Sequence, residues 1–123
     1  MVKTYSQLYM DSRRALLPTE GADMASQMAR TLLCHVSGKT HEQILAGRDL
    51  YASEEICRKM DAGVERLLAG EPLAYVIGQW DFYGMTLYVN RNVLIPRDDT
   101  CAVTALAIKK ALFLEQDPRI LDL

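Results

Sequence analysis

Glu71-Pro72-Leu73-Ala74-Tyr75-Val76-Ile77-Gly78 is the stretch on which the chain changes character. Proline suits a helix's first turn, where its missing N–H would find no partner anyway, and glycine just past the last turn ends a helix. Leu73 to Ile77 therefore reads as one or two turns held between Pro72 and Gly78. Before this stretch the apolar residues recur at helical spacing, and after it the sequence becomes β-branched and aromatic. Residues 71–97 are expected to form a linker carrying a β-hairpin.

Upstream, each predicted helix has its own start and stop. Thr4 can cap a first helix, and Pro18 is expected to end it at Leu16 or Leu17, because the residue before a proline is pushed out of helical geometry. A second helix is predicted from Ala22 to Ser37, with Ala25, Met28, Ala29, Leu32, Leu33 and Val36 on one face and Gly38 as the stop. Thr40-His41-Glu42-Gln43 has the capping-box form and opens a short helix ending near Gly47. Ser53 caps a longer one whose apolar side is Ile56, Cys57, Met60, Val64, Leu67 and Leu68, with Gly70 beyond its end. Helices this short are marginal alone, so their stripes must pack together as a small bundle over residues 1–70.

Downstream, Trp80, Phe82, Tyr83, Leu87, Tyr88, Val89, Val93, Leu94 and Ile95 are interrupted by Gly84 and by Asn90-Arg91-Asn92, the pattern of a hairpin or small meander. Asp99 or Thr100 is expected to cap a helix through about Leu114. Arg119-Ile120-Leu121-Asp122-Leu123 then reads as a buried parallel strand. Lacking sheet partners, that strand is expected to be disordered or to borrow the edge of a neighbouring chain.

The 123 residues are 50% hydrophobic and 24% charged with a formal net charge of −2, the balance of a globular chain with no basic face for phosphate binding. Neither a signal peptide nor an apolar run of membrane-spanning length is evident, and the expected location is cytoplasmic. Cys34, Cys57 and Cys101 are too far apart for a disulfide framework or a zinc pair and are expected to be reduced thiols. His35 and His41, the two histidines, have no second ligand set at metal spacing, so no metal is expected.

Four segments, in this order and spacing, carry a family resemblance: Glu71-Pro72-Leu73-Ala74-Tyr75-Val76-Ile77-Gly78, Phe82-Tyr83-Gly84, Val93-Leu94-Ile95-Pro96-Arg97 and Ile120-Leu121-Asp122-Leu123. Together they resemble the protein-(glutamine-N5) methyltransferases that modify peptide chain release factors. The resemblance implies a mainly α chain: a helical release-factor-recognition domain over 1–70, a hairpin linker over 71–97, and over 98–123 the first helix and strand of a truncated Rossmann-like methyltransferase domain. It also implies methyl transfer from S-adenosylmethionine to the side-chain amide of the glutamine in a release factor's Gly-Gly-Gln motif. Asp98 and Cys101 depart from the family pattern, which usually has a proline and an acid at those places.

That chemistry is demanding, because an amide nitrogen shares its lone pair with the carbonyl and needs positioned acceptors and in-line geometry to attack a sulfonium methyl. In the family these come from a glycine-rich cofactor loop and an Asn-Pro-Pro-Tyr motif, both expected beyond Leu123. No catalytic residue is expected within these 123, and the piece should bind substrate without catalysis. By resemblance, Leu94, Ile95, Arg97 and Asp122 are the candidate cofactor-side residues. Each has a plainer reading: Leu94 and Ile95 as packing against the next helix, Arg97 as a solvated partner of Asp98 or Asp99, and Asp122 as a loop brace. Two other functions stay open, a stand-alone protein-binding module of translation and a related methyltransferase acting on another protein or on nucleic acid.

Overall fold

A computed structural model describes residues 2–114 and 117–121. Within them the chain is mainly helical with one two-stranded antiparallel sheet, in the order α1 (Tyr5–Glu20), α2 (Ala22–Ser37), α3 (His41–Ala46), α4 (Glu54–Leu68), α5 (Leu73–Ile77), β1 (Gln79–Phe82), β2 (Met85–Tyr88) and α6 (Asp98–Leu112). Two compact units result, the first running through Gly78 and the second starting at Gln79.

In the first unit the caps act as the sequence indicates. The Thr4 and Thr40 hydroxyls accept from the backbone N–H of Gln7 and Gln43, whose side chains accept in return from the cap N–H groups. Ser53 accepts from the Ile56 N–H at 3.2 Å. Leu8 and Leu16 of α1, Leu32 and Leu33 of α2, Ile44 of α3, and Cys57, Met60, Val64 and Leu67 of α4 form one buried cluster. The expected bundle is therefore present, and α5 packs Leu73 and Val76 against the same core.

Pro18 does not end α1, which runs on to Glu20. Only one intrahelical bond is lost when a proline sits this near a helix end, and the following turn is held by other donors. The Thr19 hydroxyl donates to the Leu16 carbonyl at 3.2 Å, and the Gly21 N–H donates to that of Leu17 at 3.1 Å. Gly21 itself sits at φ +82°, so the chain reverses there instead, directly into α2.

A pairing not foreseen from sequence ties the N-terminus to the loop before α4. Tyr5 and Ser6 donate their N–H groups to the carbonyls of Leu50 and Arg48, and Ala52 donates to Lys3, flanking an antiparallel bridge between Thr4 and Tyr51. These contacts join segments more than forty residues apart, so loop-closure cost is met here by backbone bonds and by burial of Tyr5 and Ala52.

In the second unit β1 and β2 pair Trp80 with Leu87 and Phe82 with Met85, placing those four side chains on one face of the hairpin. On the other face the Thr86 hydroxyl donates to Asp81 at 2.9 Å. The two-residue turn is Tyr83-Gly84, with φ +48° and +77°. Left-handed backbone suits glycine but costs an ordinary L-residue about 1–2 kcal/mol. Tyr83→Asn is therefore expected to slow hydrogen exchange of the β1 and β2 amides several-fold, and exchange rates unchanged or faster would mean that the exposed Tyr83 ring stabilises the hairpin more than its backbone strains it.

Asp99 and Thr100 do not cap α6. Arg97 is the cap residue, with no side-chain bond, while its carbonyl accepts from the N–H groups of Thr100 and Cys101. The helix starts two or three residues earlier than expected because Asp98 and Asp99 fall in its first turn, where carboxylates favour the positive end of the helix dipole. None of its residues is buried, and Val103, Leu106 and Leu112 are 65%, 66% and 80% exposed. Arg119 to Leu121 form no strand, since no ladder partner stands beside them among the described residues, the circumstance in which the sequence reading expected this segment not to join a sheet of its own chain. Asp122 and Leu123, the rest of that expected strand, lie outside the described residues.

Candidate functional site

The motif at 71–78 is explained residue by residue in the first unit. Glu71 accepts a bidentate pair of bonds from the Arg66 guanidinium at 2.6 and 2.7 Å, the planar fork geometry that makes arginine–carboxylate pairs specific. The same guanidinium donates to the Tyr75 carbonyl at 3.3 Å, satisfying one of the free carbonyls at the end of α5. The hydrogen bonds to the Glu71 carboxylate raise the Arg66 pKa above its ordinary value. Pro72 supplies the cap of α5, and its carbonyl accepts from Tyr75 and Val76. Ala74 is buried, and Gly78 closes the turn at φ +82° with its N–H on the Ala74 carbonyl at 2.8 Å. The stretch thus fastens α5 to the last turn of α4 and fixes the point at which the chain leaves the bundle.

In the second unit the expected cofactor-side residues Leu94, Ile95 and Arg97 follow one another between β2 and α6. Val89 is buried, and Asn90 organises the turn after it by accepting from the Asn92 N–H on its side chain and from the Val93 N–H on its carbonyl. Leu94 is then 86% exposed, Ile95 is half-buried, and Arg97 is exposed at the start of α6. Asp122 lies outside the described residues, so nothing here brings it to the other three. What these residues offer is an apolar flank and one guanidinium. Holding a ribose, an adenine and a sulfonium also needs side-chain acceptors that Leu94, Ile95 and Arg97 do not supply.

Among the described residues no three His, Cys, Asp or Glu side chains approach closely enough to hold a metal ion, and no helix is long and apolar enough to cross a membrane. Burial raises the pKa of the Cys34 thiol, which makes it a packed apolar group and not an activated nucleophile.

Sequence reasoning missed two clefts on the helical unit. One, of about 610 Å³, is bordered by Glu54, Glu55, Asp61, Cys57 and Arg58 along α4. The other, of about 210 Å³, lies where α1, α2 and α3 meet; its walls include Tyr5, Tyr9, Arg30, His41, Ile44 and Arg48. Its residues are spread over forty-four positions and belong to no single periodic stripe, so no local pattern announces them.

With this geometry in view, the comparisons with known proteins are specific. A family model described as the PrmC N-terminal domain matches residues 10–78. The chain is 41% identical over 110 residues to the release factor glutamine methyltransferase of Haemophilus influenzae, covering 86% of this chain and 37% of that protein. The proteins of the same name from Aliivibrio fischeri and Escherichia coli are 38% and 35% identical over 75% and 90% of this chain, which spans 32% and 39% of their lengths. The chain therefore spans between 32% and 39% of the length of these relatives.

Proposed function

The chain belongs to the PrmC N-terminal domain family, and from that membership we propose that it is the substrate-recognising part of a release-factor glutamine methyltransferase. In the parent protein the methyl group passes from S-adenosylmethionine to the glutamine side-chain amide of a release factor. The helical unit holds the release factor, the segment 71–97 links it to the methyltransferase domain that residues 98–123 begin, and the protein works in the cytoplasm. Leu94, Ile95 and Arg97 stand on the cofactor side of that domain, together with Asp122. The 123 residues alone are proposed to carry out no methyl transfer, since among the described residues no set of acceptors is gathered that could orient an amide nitrogen for in-line attack.

The observation that supports this reading most directly is the agreement of two limits. The family match ends at residue 78, and the compact helical unit ends at Gly78, the glycine whose left-handed backbone closes α5. A two-part enzyme requires a recognition element that packs separately from the catalytic one, so that one part fixes the substrate and the other performs the chemistry. The Arg66–Glu71 fork supports it further, since a bidentate pair at the exit of the bundle holds the chain against α4 more tightly than a single contact would.

Calorimetric titration tests the reading. Release factor is expected to bind the 123-residue chain, and S-adenosylmethionine at the same concentrations is expected to give no heat beyond dilution. Cofactor binding in the micromolar range would show that the pocket is already complete within these residues. No binding of release factor would remove the recognition role.

A further inference from the structure

We propose that the cleft between α1, α2 and α3 is a receptor for an acidic side chain of the bound partner protein, with Arg30, His41 and Arg48 as its polar rim. This inference rests on the reading that the helical unit holds a release factor, and it names the part of that unit which makes the contact and the chemistry it contacts.

The cleft has the make-up such a role needs. Its floor is apolar and rigid: Tyr5, Leu33 and Ile44 are each less than a tenth exposed and belong to the core cluster, so the base of the site is set by bundle packing. Two arginines and a histidine from three different segments line the cleft, and no aspartate or glutamate does. Glu42, which follows His41 in sequence, is not among the lining residues. Among the described residues Arg30 and His41 have no carboxylate within salt-bridge distance, and Arg48 has only a loose contact of 3.9 Å with Asp49, itself almost fully exposed. A further cation stands beside the floor, since the Lys39 ammonium lies 4.8 Å from the Tyr5 ring centre.

This gathering of positive charge is not a consequence of composition, because the whole chain carries a net charge of −2. The larger cleft along α4 has the opposite make-up, with Glu54, Glu55 and Asp61 on its walls. A volume of about 210 Å³ accommodates one side chain, not a cofactor or a folded segment. An apolar floor beneath planar donors suits a glutamate or aspartate, whose methylene groups meet the tyrosines while its oxygens accept from arginine. A nucleic-acid phosphate is the poorer fit. Phosphate-driven binding draws on many cations spread along a backbone track, whereas here three groups surround one small cavity.

The test compares release-factor binding by the full 123-residue chain with that of Arg30→Glu, of Arg48→Glu and of a control reversal, Lys59→Glu, on the α4 surface. All three sites are exposed, and circular dichroism melts confirm folding of each variant. Each rim reversal is expected to weaken binding at least tenfold at low salt, with the loss shrinking as ionic strength rises, while the control changes binding less than twofold. Rim variants that bind release factor as the unaltered chain does would overturn the cleft's role and leave the recognition reading standing. If the unaltered chain itself does not bind, the recognition reading falls and this inference falls with it. Rim variants that lose affinity for a single-stranded RNA oligomer, with release-factor binding unchanged, would equally overturn it and assign the rim to phosphate.

Discussion

Gly63→Val is expected to destabilise the helical unit by about 1–3 kcal/mol or more through overpacking, read as a lower urea midpoint with an unchanged slope. Gly63 lies on the buried face of α4, and a Cβ built on it meets the two terminal methyl carbons of Leu32 at 2.8 and 2.9 Å. Leu32 is only 2% exposed and cannot swing into solvent. The glycine is therefore the means by which α2 and α4 approach closely. Mid-helix glycine ordinarily costs about 1 kcal/mol relative to alanine, so Gly63→Ala sets a propensity gain against a steric loss and its net change is smaller. The steric part is separable in a double-mutant cycle. Leu32→Ala should cost about 2–5 kcal/mol in the unaltered chain and clearly less when Gly63→Ala is already present, because the new methyl group fills part of the cavity. Additive effects of the two substitutions would show that the helices do not touch at this point.

Gly63 also shows where the sequence was a good guide and where it was not. The spacing of Ile56, Cys57, Met60, Val64 and Leu67 identified α4 and its packed side, since periodicity reports which face is apolar. It was silent on how near the partner helix comes, and so a glycine within the stripe carried no message. Pro18 erred in the other direction: a strong local rule ended α1 early, whereas the bonds from Thr19 and Gly21 carry the helix through its last turn. The apolar composition of 119–121 reflects a buried setting, and without a neighbouring strand among the described residues Ile120 and Leu121 remain unpaired and exposed, as the sequence reading's lack of sheet partners implied.

The candidate site divides along the same line. Pro72 and Gly78 were legible because their roles are local, a cap and a left-handed turn, whereas the Arg66–Glu71 fork came only with the structure. The cleft rim was not, because Arg30, His41 and Arg48 come together only after α1, α2 and α3 have packed. Exposed arginines separated by a dozen residues or more look like ordinary solvated charge until the bundle places them around one cavity. Leu94, Ile95 and Arg97 were singled out by resemblance alone, and the structure leaves Leu94 and Arg97 exposed and Ile95 half-buried, with no other site residue gathered beside them among the described residues.

Met60→Ala should be the most damaging single truncation in α4, costing about 2–5 kcal/mol, whereas Leu68→Ala, in the same predicted stripe, should change stability by less than about 1 kcal/mol. Met60 is completely buried in the core cluster, so shortening it removes apolar contact and leaves a cavity that α1 and α2 cannot fill without moving. Leu68 is 45% exposed at the last position of α4, beyond the reach of the core, and much of its surface already meets water. Sequence spacing gives the two residues equal standing, and only the geometry separates them. A unit of this size has a total stability of roughly 0.05–0.15 kcal/mol per residue, so Met60→Ala can consume half or more of it. Thermal melts followed by circular dichroism decide the matter. The expected result is a large drop in midpoint for Met60→Ala and little change for Leu68→Ala. Equal drops would mean that the end of α4 is covered by contacts that the exposed Leu68 does not reveal. Release-factor affinity measured below both midpoints should stay unchanged in each variant, since neither side chain lines the cleft between α1, α2 and α3, and so the fold of the helical unit and the proposed partner contact can be perturbed separately.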